Sequence, residues 1–274
     1  MSFSRPVPLD QAAGLRRLFA NSQAQARIVP VVANPHVGSG GALLERLCTA
    51  FGEHGLHTLV VDAGERAGTP NELALIDLAA CVERLSKHVS YLAARGLPLR
   101  YVDAAGSTQA FVSQVIEAAP RCNVILLHAG ASDLCRMLQR RPDPEPVCPL
   151  LLADDHPSSV THAFAAMKLL TQRASWVVFD LLLGAATSSP RADRIAAQLA
   201  TCADDFLGAV LRSSARVDPA LPATAAPPDA LRRLVRTRIE PAFDLSTPRP
   251  AAFETSLHGP LDVAPARTSN WAST

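Results

Sequence analysis

Short apolar stretches rich in β-branched residues alternate along this chain with stretches of helical period, and that alternation constrains the fold more than any other feature. Residues 27–33 (RIVPVVA), 56–62 (LHTLVVD), 97–103, 123–128 (NVILLH), 147–153 and 176–183 read as strands. Residues 42–54, 72–95 (in two pieces), 107–118, 158–172 and 191–206 read as helices, with one more short helix after 128. Parallel strands cannot be joined by a tight turn, so each strand–helix–strand repeat is a crossover unit. A string of them builds a doubly wound, mostly parallel α/β sheet with helices on both faces. The regular alternation spans 25–213, one domain of ordinary size.

Composition narrows the classes further. With 26 basic against 25 acidic residues the net charge is +1, which leaves no electrostatic footprint for nucleic acid. No apolar run approaches the ~20 residues that span a bilayer, and the opening MSFSRPVPLDQ has no apolar signal-peptide core. The six cysteines form no C-x-x-C pair and mostly sit among apolar residues, as reduced core thiols of a cytoplasmic protein would. Much of the excess of 22 prolines falls after 214, so 214–274 reads as a flexible tail. Within it Leu231, Leu234, Val235 and Ile239 share one helical face, opposite Arg232, Arg233 and Arg236. Such a basic amphipathic helix either packs on the domain or holds the chain peripherally at an anionic inner membrane.

In a doubly wound sheet, ligands bind at the carboxyl ends of the strands. The loop after the first strand, NPHVGSGG, brings Gly38, Ser39, Gly40 and Gly41 to a helix N-terminus, where backbone amides favour an anion. A phosphate loop also needs a lysine for the terminal phosphates and a hydroxyl for magnesium. There is no lysine before Lys87, and only one other, Lys168, in the chain.

The segment Asp10-Gln11-Ala12-Ala13-Gly14-Leu15-Arg16, set just before the first strand, resembles the flagellar-number regulators of the MinD/ParA type, the FlhG or FleN group of deviant P-loop NTPases. Weaker similarity follows in ADDHPSSVTHAFAAMKLL (153–170) and LATCADDFLGAV (199–210), so the resemblance covers about 9–213. It implies ATP and Mg2+ as the family's cofactors, and it implies that residues 1–24 form a partner-activating segment. In that segment Asp10, Gln11, Ala12, Gly14, Leu15 and Arg16 engage the flagellar SRP-type GTPase (FlhF), with Gln11 near its nucleotide. Basal-body components are further implied partners.

The implied nucleotide positions depart from the family pattern. Asn34 stands for the signature lysine, Ser39 for the P-loop lysine and Gly40 for the magnesium-binding hydroxyl residue. Asp62 keeps the acid that closes the second strand, His128 replaces the Walker B aspartate, and Asp180 stands for the adenine-reading asparagine. Losing the lysine and the metal carboxylate together removes the charge stabilisation of phosphoryl transfer. The expectation is a pseudo-ATPase with no tight ATP–Mg binding, no resident metal and no catalytic residue. The alternative is an active but atypical ATPase with nucleotide-dependent dimerisation and membrane binding. A hydrolase elbow around Ser132 lacks its second glycine, and GSGG followed by Ala42-Leu43 makes no dinucleotide fingerprint.

Overall fold

Strand β1 (Arg27–Val32) sits at the centre of an eight-stranded sheet of order β3-β4-β2-β5-β1-β6-β7-β8. Its companions are β2 (Thr58–Asp62), β3 (Glu83–Arg84), β4 (Val89–Ala93), β5 (Val124–Ala129), β6 (Leu150–Asp154), β7 (Val178–Gly184) and β8 (Val210–Val217). Every pairing is parallel except the short β3 with β4. The computed structural model describes residues 26–139, 146–222 and 224–240. The segment 10–16 and the tail beyond 240 lie outside the described residues.

Among the described residues six helices cover the sheet. They are α1 (Gly40–Gly52), α2 (Gln109–Ala118), α3 (Ala131–Leu138), α4 (Pro157–Ala174), α5 (Pro190–Leu207) and α6 (Asp229–Ile239). Prolines at the first turns of α4 and α5 start them, and Gly208 (φ 58°) ends α5 in the left-handed region. Strand side chains alternate between two cores, as the period of two requires. Leu59, Val61, Ile125 and Leu127 join the core that contains α2–α5, while Val29, Val31, Val60 and Leu126 pack with α1 and α6.

Three expectations are corrected. Residues 72–95 are not helical: 3₁₀ turns at Glu72–Leu75 and Ala79–Cys81 lead into the β3–β4 hairpin. Val89–Ala93 (VSYLA) alternates in burial and takes the parallel place beside β2, so tertiary pairing overrides the local helical spacing. The strand expected at 97–103 is a 3₁₀ turn, Pro98–Tyr101, because β4 already fills that slot. The domain does not stop at 213, since β8 and α6 extend the compact unit to Glu240.

The amphipathic face of α6 is core. Leu231, Leu234 and Val235 are at most 1% exposed, and the half-buried Ile239 packs against the same cluster. Arg232 fixes the helix to the end of α1 through two bonds to Glu53, at 2.8 and 2.9 Å. In this arrangement those apolar side chains are not available to a membrane surface.

Candidate functional site

The carboxyl ends of β1, β2 and β5 lie side by side and gather most of the polar residues singled out in the sequence. After β1 the chain turns through residues 34–39 and enters α1 at Gly40. Asn34 does not face outward. Its amide donates to the Leu152 carbonyl (2.8 Å) and to the carbonyl and hydroxyl oxygens of Ser159 (3.0 and 3.3 Å). Its Oδ1 accepts from the His36 amide at 3.1 Å. Asn34 therefore staples the loop to β6 and α4, a role for which an amide with two donors and an acceptor is suited. Ser159, fully buried, completes the staple by accepting from the Asp154 amide at 2.9 Å. Ser159 went unnoticed in the sequence; a serine in the first turn after His156-Pro157 was the available sign.

Gly38, Gly40 and Gly41 have open space where a Cβ would stand, and none has a positive φ. Ser39 makes no side-chain cap bond to α1, and its hydroxyl lies near Gly184 at the end of β7, where a Cβ would come within 3.3 Å. No lysine or arginine occurs between Arg27 and Arg46. Arg46 is buried and donates to the carbonyls of Pro222 (3.1 Å), Ala225 and Ala226 (3.2 Å). Arg27 donates to the carbonyls of Arg238 and Glu240, beyond the opposite end of β1.

Asp62 and His128 are register partners on β2 and β5, and His128 Nδ1 lies 2.7 Å from Asp62 Oδ1. The carboxylate also accepts from the Gly64 amide (3.1 Å) and the Tyr91 hydroxyl (3.4 Å). Burial pushes the Asp62 carboxyl up, but the His128 hydrogen bond and charge, the Gly64 amide and Tyr91 outweigh it and hold it below its usual value. Gly64 leaves room for the pair, since a Cβ there would meet Asp62 Oδ1 and His128 Cε1 at 3.2 Å. Tyr91 lies in β4, whose sequence has helical spacing and shows its strand character only through pairing with β2. Nearby, the rings of His36 and His162 meet edge to face at 5.6 Å. Burial and the neighbouring His36 hold His162 below its usual value. Among the described residues no three His, Cys, Asp or Glu side chains are grouped to hold a metal ion.

Asp180 is elsewhere. It lies level with Leu150, the first residue of β6, and so at the amino end of the sheet. Fully buried, it receives Arg212 (2.6 and 3.1 Å), Arg238 (2.5 Å) and the Ser213 hydroxyl (2.8 Å). Burial pushes its carboxyl up, yet the two guanidiniums and Ser213 hold it below the usual range. Asp180 thus closes a structural ion cluster rather than the nucleotide loop; Gly184 and Ala185 occupy the carboxyl end of its strand.

No protein-family profile matches this sequence, and no curated protein matches it. Solved structures do share its architecture. Cobyrinic acid a,c-diamide synthase from Mycobacterium smegmatis, with a bound ATP analogue and magnesium, is similar at TM-score 0.55 and 14% identity, over 80% of this chain and 99% of that one. A plasmid partition protein from Borrelia burgdorferi is similar at 0.52 and 8% identity, over 78% and 100%. The cell division protein MinD from Aquifex aeolicus is similar at 0.50 and 14% identity, over 77% and 97%. The sheet order, the β1–α1 loop and these likenesses give the chain the fold of the MinD/ParA P-loop NTPases.

Proposed function

We propose that this chain is a pseudo-ATPase of FlhG type, a regulator of flagellar assembly that works through protein contacts on a MinD/ParA-type scaffold. The observation that carries the reading is the absence of any lysine or arginine from the β1–α1 loop. The flanking arginines, Arg27 and Arg46, are both engaged on backbone carbonyls away from it. ATP with magnesium does not fit the residues of this rim. Its polyphosphate would meet amides and the α1 dipole but no lysine or arginine, and His128 on Asp62 stands where a second metal carboxylate is needed. The segment Asp10–Arg16 then carries the function: it engages the flagellar SRP-type GTPase and stimulates GTP hydrolysis, with Gln11 near the partner's nucleotide.

The test is GTP turnover by that GTPase with the full chain and with Gln11→Ala. The reading expects stimulation by the full chain and little by the variant. An unchanged rate with the full chain overturns it. The open space over Gly38, Gly40 and Gly41 supports a second reading, an atypical active ATPase with nucleotide-dependent dimerisation, whose signature is micromolar ATP–Mg binding.

A further inference from the structure

The stretch between β2 and β3 leaves apolar side chains in solvent that an ordinary crossover helix would bury. In the turns spanning Glu72–Leu75 and Ala79–Cys81, Ala74 and Leu78 point into the core beside α2. Leu73 and Leu75 are each 54% exposed and Ile76 is 85% exposed. Three such residues in four positions form a local apolar patch, which marks an interaction surface more often than isolated exposed leucines do. Between Arg66 and Arg84 the chain carries Glu72, Asp77 and Glu83 and no Lys or Arg.

One segment of this same chain is complementary to it. Residues 10–19 read as a helix with Leu15, Leu18 and Phe19 on one side and Arg16 and Arg17 on the other. Ala26, the first described residue, packs against the same extended core cluster that also holds Ala74 and Leu78. The seven steps from Phe19 to Ala26 can span about 25 Å when extended.

We infer that the apolar, acidic surface at Glu72–Asp77 is an intramolecular dock for residues 15–19. Leu15, Leu18 and Phe19 would cover Leu73, Leu75 and Ile76, and Arg16 and Arg17 would pair with Glu72 and Asp77. This deepens the reading above and rests on it in one respect: if Asp10–Arg16 is the partner-activating segment, docking withholds it until the partner competes it off.

The dock is tested without the GTPase, so that it can fail or succeed independently of the activator assay. The photo-crosslinking residue p-benzoylphenylalanine is placed at Leu18 in the full chain, which is irradiated at low micromolar concentration and mapped by mass spectrometry. The expected product is an intramolecular crosslink to residues 72–83. The double variant Leu73→Asp, Ile76→Asp should lower its yield by ~10-fold, as loss of central apolar anchors does. Both positions are exposed, and an unchanged melting temperature confirms the fold. Glu72→Lys with Asp77→Lys should also lower the yield, and Arg16→Glu with Arg17→Glu should restore it. Crosslinks that map elsewhere, that appear only between two chains, or that survive the double variant overturn the inference.

Discussion

His128 Nδ1 lies 2.7 Å from Asp62 Oδ1, joining the carboxyl ends of two adjacent strands. The contact occupies one oxygen of the carboxylate from within the protein. Because the contacts on Asp62 hold its carboxyl below the ordinary 3.8, they contribute stability that is present above that value. The contribution is lost as pH falls through the lower folded value. Asp62→Asn should cost ~1–3 kcal/mol near neutral pH and flatten the acid limb of the stability curve. Urea titrations across that limb check this; an unchanged slope would show that the pair is not coupled to folding.

The cluster at Asp180 makes a larger prediction. Arg212 and Arg238 both lie on one fully buried carboxylate, and removing it leaves the buried guanidinium of Arg238 without its counter-charge. Asp180→Ala should cost about 3–5 kcal/mol, read as a fall in the urea midpoint. A loss below 1 kcal/mol would mean that the cluster is solvated.

Helix α6 gives a third. Leu234 is 1% exposed, so Leu234→Ala should destabilise by ~2–5 kcal/mol. Sedimentation with anionic vesicles, run in parallel, should be unaffected by the substitution. A selective loss of vesicle binding at unchanged stability would return the helix to the membrane reading.

Burial pushes the Cys48 thiol up to about 12 and the Cys148 thiol up to about 11. Both should resist iodoacetamide at pH 8 in the native chain and react once urea unfolds it, because the thiolate is the nucleophile. Peptide mapping that finds either one alkylated natively would contradict this packing.

Much of the sheet was legible because its central strands are buried on both faces and read as unbroken apolar runs, such as RIVPVVA and NVILLH. The edges were not. In β8 (VLRSSARV) the polar letters are explained only by distant partners, Arg212 on Asp180 and Arg216 on the Ser189 carbonyl. In β4 the strand character comes from pairing with β2. At the site, the sequence brought Asn34, Gly38, Ser39, Asp62 and His128 to one rim, as the fold does. Asp180 was assigned there too, because its strand was recognised but its level along the strand was not. Tyr91 and Ser159 act through contacts 29 and 125 residues away, which no local pattern encodes.

The proposed pseudo-ATPase role requires that the β1–α1 loop, without lysine or arginine, does not hold ATP with magnesium. Calorimetric titration of the full chain with ATP–Mg tests it most directly. The account predicts no saturable heat at micromolar nucleotide; a micromolar Kd would contradict it.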